Sequence, residues 1–240
     1  NKLNIKHLEN RDLTWEKMYE LNLGVELGMF NNRISATIDL YQRNTFDLID
    51  LVRTSGVGGQ YYKYANFGDM RTRGVELGVH TKNIVTDRFS WTSSLTLSAM
   101  HQEITRLLNT PNAFDMVAGR GRGNIVGYPK GSLFSYNFQG LDGNGLPTFN
   151  FGRYPSSQNA YAKNAGADFL DTQYAKSYLI YHGPIEPQVL GGLNNTFKLG
   201  AWELSFFLTM QAGNKIRLNP TFDPDFADLN VFSKEYYNRW

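Results

Sequence analysis

Between residues 20 and 43 the chain alternates apolar and polar side chains almost without a break. Leu21, Leu23, Val25, Leu27 and Met29 fall on one face, and Glu20, Asn22, Gly24, Glu26 and Gly28 on the other. After Phe30, Asn31 and Asn32 the alternation resumes, with Ile34, Ala36, Ile38 and Leu40 set against Ser35, Thr37, Asp39, Tyr41 and Arg43. A side-chain period of two with one apolar face predicts strands, and the short Asn-containing turn predicts an antiparallel hairpin. Length is the informative feature. A strand of about ten residues extends roughly 33 Å, and at about 45° tilt it spans close to the ~25 Å apolar band of an outer-membrane barrel.

The pattern returns twice. GVELG at 24–28 recurs at 74–78, where Val75, Leu77 and Val79 oppose Glu76, Gly78 and His80. A turn near 82–88 then leads to Phe89, Trp91, Leu95, Leu97 and Ala99, alternating with Ser90, Thr92, Ser94, Thr96 and Ser98. The third hairpin sets Val189, Leu193, Phe197 and Leu199 against Trp202, Leu204, Phe206, Leu208 and Met210 around Gly200 and Ala201. It is looser, because Asn195 sits on the apolar parity and Leu190 and Phe207 on the polar one.

The connections alternate short and long. Irregular loops are expected at 45–71 and 103–187, the second with a short hairpin of its own, and another after Gly213. Outer-membrane barrels combine short periplasmic turns with long extracellular loops. Phe89, Trp91, Phe197 and Trp202 cluster by the short turns, where an inner aromatic girdle would lie, and Trp15 and Tyr19 suit the outer one. The expected fold class is therefore all-β, an antiparallel transmembrane β-barrel represented in part by about six long strands. A soluble β-sandwich alternates in the same way, and periodicity alone does not separate the two. In either fold Glu26, Asp39 and Glu76 are expected to face water.

Composition narrows the chemistry. A formal charge of +2 and 19% charged residues give no electrostatic reason to expect nucleic acid. There is no cysteine, and His7, His80, His101 and His182 are scattered, so no metal or cofactor is expected. No run of eighteen apolar residues marks a transmembrane helix, which leaves a barrel untouched. The first residues lack the layout of a signal peptide. GRGRG at 119–123 has neither the Lys-Ser/Thr ending nor the following helix of a phosphate loop. Asp142 and Asn144, or Asp223, Asp225 and Asp228, offer oxygen ligands for calcium, but turn formation accounts for them better. No nucleophile with a placed base and no catalytic carboxylate pair stands out, so an enzyme is not expected.

The stretches NRDLTWEKMYELNLGVELGMFNNRISATIDLYQRNTFDLI, NFGDMRTRGVELGV, GYPKGSLFSYNFQGLD and GPIEPQVLGGLNNTFKLGAWELSFFLTMQAGNKI closely resemble the SusC-like (SusC/RagA) TonB-dependent transporters of Bacteroidota. The resemblance implies a 22-stranded outer-membrane barrel, of which residues 1–240 form a late part of a single domain. The plug and closing strands are then expected to lie outside this chain. It also implies a SusD-like surface lipoprotein as lid, and import of oligosaccharides or oligopeptides driven by the TonB complex through the plug.

On that reading the long loops help form the extracellular cavity. Tyr61, Tyr62, Tyr64, Tyr136 and Phe138 are the candidate substrate-binding residues, with loop packing or lipoprotein contact as the competing role for each. Arg71 and Arg73 are candidates for plug contact or for solvated charges at a strand entrance. A passive porin and a soluble carbohydrate-binding β-sandwich are the alternative functions.

Overall fold

Residues 10–54, 56, 62–118, 124–150, 175–218 and 234 are described by the computed structural model. Alternation drives six strands into one antiparallel sheet: β1 (Lys17–Met29), β2 (Ile34–Arg53), β3 (Tyr62–Val85), β4 (Phe89–Leu107), β8 (Val189–Leu199) and β9 (Trp202–Ala212). They pair in that order, and the sheet is open, with β1 and β9 at its edges. Residues 108–188 hold α1 (Ala113–Ala118), β5 (Ser132–Leu141), β6 (Pro147–Asn150), α2 (Ala175–Tyr178) and β7 (Leu179–Pro184). Here β5 is the centre of a second sheet, ordered β6-β5-β7.

Register fixes the two faces of the large sheet. One row on the apolar face reads Leu27, Ala36, Val79, Leu95, Leu193, Leu208, and the next Val25, Ile38, Leu77, Leu97, Gly191, Met210. The opposite face carries Glu26, Thr37, Gly78, Thr96 and Gly192. The apolar face runs along β4 from Phe89 to Ala99, roughly 33 Å of strand and about 23 Å in height at a 45° tilt.

Glycines on the polar face make room for their cross-strand neighbours. A Cβ on Gly74 would lie 2.4 Å from the ring of its partner Tyr41, and one on Gly24 would lie 2.6 Å from Asp39 Oδ1. The repeated GVELG segments flank β2 on either side and are offset by two residues, since Asp39 pairs with both Gly24 and Glu76.

The expected loop at 45–71 is mostly strand. β2 continues to Arg53 and β3 begins at Tyr62. Register shifts at Thr45/Leu48 and Leu48/Ile49, with Asp47 at φ 57°, break the alternation that would have revealed these extensions. Likewise β4 continues to Leu107, so the connection expected from 103 starts later. Its expected hairpin is present as β5–β6. In the turn, Asp142 Oδ1 accepts hydrogen bonds from the amides of Asn144 (2.9 Å) and Leu146 (2.8 Å), an Asx-type turn. GRGRG and the 223–228 carboxylates lie outside the described residues.

Candidate functional site at the loop end of the sheet

Past the apolar band the polar face changes character. Leu48, Val52 and Phe67 are buried in a small cluster, with Ala65, Met70 and Leu107 packed against it. Beside it the chain from β4 turns into α1. Asn112 caps that helix, its Oδ1 accepting from the Asp115 amide at 2.8 Å while Asp115 Oδ2 accepts from the Asn112 amide at 3.4 Å. Between them lies a cavity of about 430 Å³, lined by Asp50, Thr54, Tyr62, Phe67, Asn109, Asn112, Asp115 and Asn124 among others. Carboxylates, amides and two aromatic rings line it together. Such a surface can exchange hydrogen bonds with hydroxyl, amide or ammonium groups while a ring packs on an apolar face.

The inserted residues form a module over this end. Ala113, Met116, Ile125, Phe134, Ala175, Tyr178 and Leu179 make its core. It joins β4 above the point where β8 pairs: the Ile104 amide donates to Tyr128 O (2.9 Å) and the Gly127 amide to Ile104 O (2.8 Å). The chain after β9 straps across it, with Arg217 donating to Val117 O and Phe134 O.

The five expected site residues are dispersed. Tyr62 lines the cavity. Tyr64 pairs with Leu51, is 61% exposed and lies outside the lining. Tyr136 stacks on Tyr178 (6.4 Å between centroids) and meets Phe149 edge-on, so its ring packs within the module. Phe138, 57% exposed, packs edge-on against Phe149 at 6.1 Å. Tyr61 lies outside the described residues. The polar lining comes from Asp50, Asn109, Asn112, Asp115 and Asn124, which no strand periodicity brings together. The only local signal was the N-cap pattern of Asn112 and Asp115.

Arg71 and Arg73 are not on the polar face, which argues against plug contact and leaves the other role, solvated charges at a strand entrance. They share the parity of Val75, Leu77 and Val79 through an unbroken register from Met70 to Thr81. Among the described residues no group of three or more His, Asp or Glu side chains is placed to hold a metal ion.

The sequence matches the TonB dependent receptor-like β-barrel family over residues 4–237, nearly the whole chain. It belongs to that family. The family is one of receptors and transporters rather than enzymes, and its barrels are outer-membrane proteins. The chain is 30% identical over 218 residues to the TonB-dependent receptor SusC of Bacteroides thetaiotaomicron, covering 86% of this chain and 20% of that protein. It is 28% identical to TonB-dependent receptor P26 of Formosa agariphila, covering 96% of this chain and 24% of that one. Among solved structures, the RagAB peptide transporter superposes with a TM-score of 0.66 at 26% identity, covering 88% of this chain and 22% of that one. The chain thus spans about a fifth to a quarter of these relatives, and the six-stranded sheet is a SusC-like stretch of a TonB-dependent receptor barrel wall.

Proposed function

We propose that this wall belongs to an active outer-membrane importer of oligosaccharides or oligopeptides. A SusD-like lipoprotein covers its outer mouth, and the TonB complex supplies energy through a plug inside the barrel. The observation that carries the reading is the family match over residues 4–237, on a sheet with one apolar and one polar face. The wall itself is passive in this scheme. The apolar face meets lipid, the polar face meets a hydrated bore, and the loop-end cavity holds part of the cargo as it enters.

Cargo contact is assigned to Tyr62 and Asp50. Uptake by the intact transporter in cells, with and without a protonophore, tests the energy requirement: uptake that persists without a proton gradient means a passive porin. Replacing Tyr62 by Ala together with Asp50 by Asn is expected to lower uptake severalfold while the folded barrel still shifts on an unboiled gel. Unchanged uptake would remove the cavity from the cargo path.

A further inference from the structure

On the outer face the residue type changes abruptly one step above the apolar band. The last apolar row reads Leu23, Leu40, Val75, Ala99, Val189. The next reads Leu21, Gln42, Arg73, His101, and the one above it Tyr19, Asn44, Arg71, Glu103. With about 23 Å of apolar height below them, these rows fall where hydrocarbon gives way to headgroups. Tyr19, in the upper of these rows, suits the same level. It is exposed and packs edge-on against Phe46 (5.9 Å), as expected of an outer-girdle aromatic.

The two arginines are held differently. Arg71 donates to Asn44 Oδ1 and to Glu103 Oε1, both at 3.4 Å, so its charge is met within the wall. Arg73 donates through Nε to Gln42 Oε1 at 2.8 Å, a bond that aims the side chain without neutralising it. Among the described residues no carboxylate lies within ion-pair distance of Arg73, and its cross-strand neighbour is His101, which adds no negative charge. An exposed guanidinium at headgroup level, oriented by an amide and lacking an anion, is complementary to a phosphate.

We infer that Arg73, with His101 beside it and Gln42 aiming it, forms a docking site on the outer wall for the phosphate of a membrane lipid in the outer leaflet. The site anchors the wall at a fixed height in the bilayer. It rests on which face meets lipid and is independent of cargo and energy source.

The test uses the intact transporter in detergent, titrated with diphosphorylated lipid A, with the same glycolipid lacking phosphates, or with inorganic phosphate alone. Binding is read as the upward shift of the temperature at which the barrel loses its gel mobility. The phosphorylated lipid is expected to stabilise, and the dephosphorylated lipid and free phosphate to have little effect. Arg73→Gln should weaken the lipid A response about fivefold, the scale of one basic residue at a charged membrane surface, and Arg73→Lys should retain most of it. Equal stabilisation by both lipids, by free phosphate alone, or of wild type and Arg73→Gln would overturn the site. If Arg73→Gln does not assemble, the comparison of the two lipids on the wild-type protein still decides. A barrel that stays heat-modifiable with no lipid preference would refute this site and leave the importer reading intact.

Discussion

Trp91 donates its indole Nε1–H to Asn195 Oδ1 at 3.0 Å, joining β4 to β8 on the apolar face. The same oxygen accepts from Ser93 Oγ at 2.6 Å, and Ser93 in turn accepts from Asn83 Nδ2 at 2.7 Å. Asn195 is only 8% exposed, while Trp91 stacks on Phe197 and Phe197 on Phe206 around it. The residue that looked out of place on the apolar parity is thus satisfied within the wall, where lipid offers no partner. Asn195→Ala should strand the indole N–H and the Ser93 hydroxyl and cost about 1–3 kcal/mol. The check is a lower temperature for loss of the folded gel band. Asn195→Leu with Ser93→Ala, which removes both polar ends of that bond, should recover part of the loss.

Face assignment makes a sharper demand. Leu95 lies midway up the apolar band, and Thr96 points to the other face. Leu95→Arg is expected to cost about 2–4 kcal/mol near the bilayer midplane and to reduce assembled barrel in outer-membrane fractions. Thr96→Arg enters a polar region that includes Asp39 and Glu76 and should assemble nearly as well as wild type. Equal loss from both would mean that the apolar face does not meet hydrocarbon.

The fit of Tyr41 over Gly74 predicts strong coupling. Gly74→Ala puts a Cβ into the ring and should cost about 1–3 kcal/mol as an overpacking defect. In a Tyr41→Ala background the same change should be nearly neutral, and a double-mutant cycle of barrel unfolding midpoints measures the difference.

The three hairpins were legible because a two-residue period survives along 20–43, 74–99 and 189–210, and length separated them from ordinary soluble strands. What stayed hidden lies beyond the bulges. Because Asp47 inserts an extra residue, the even-numbered Leu48, Asp50 and Val52 share the face of the odd-numbered Ser35 and Thr37, the alternation breaks, and the extension reads as loop. The cavity was hidden for a related reason. Asp50 lies on the far side of that bulge, and Asn112, Asp115 and Asn124 reach it only through the packing of α1 and β5. Arg71 and Arg73 are different, since the parity of Val75 already placed them outward.

Above the lipid band, Asp69 and Arg106 supply a pH-dependent contact. Arg106 donates to Asp69 from Nε (2.5 Å) and from Nη2 (3.0 Å), and the Asp47 amide adds a third bond at 3.2 Å. The Arg106 hydrogen bond holds the Asp69 carboxyl below the usual carboxylate range, outweighing the opposing effect of burial. A carboxylate depressed in the folded state stabilises it fully above the unfolded-state pKa of about 3.9, and the contribution disappears as pH falls through the lower folded value. Asp69→Asn should therefore lower stability at neutral pH, and the gap to wild type should close on acidification below about pH 4. Arg106→Gln should do the same, because either change removes the pairing that shifts the titration. Unfolding midpoints of the wild-type and variant barrels across the acid range provide the measurement. Parallel curves would mean that the pair contributes no titrating stability.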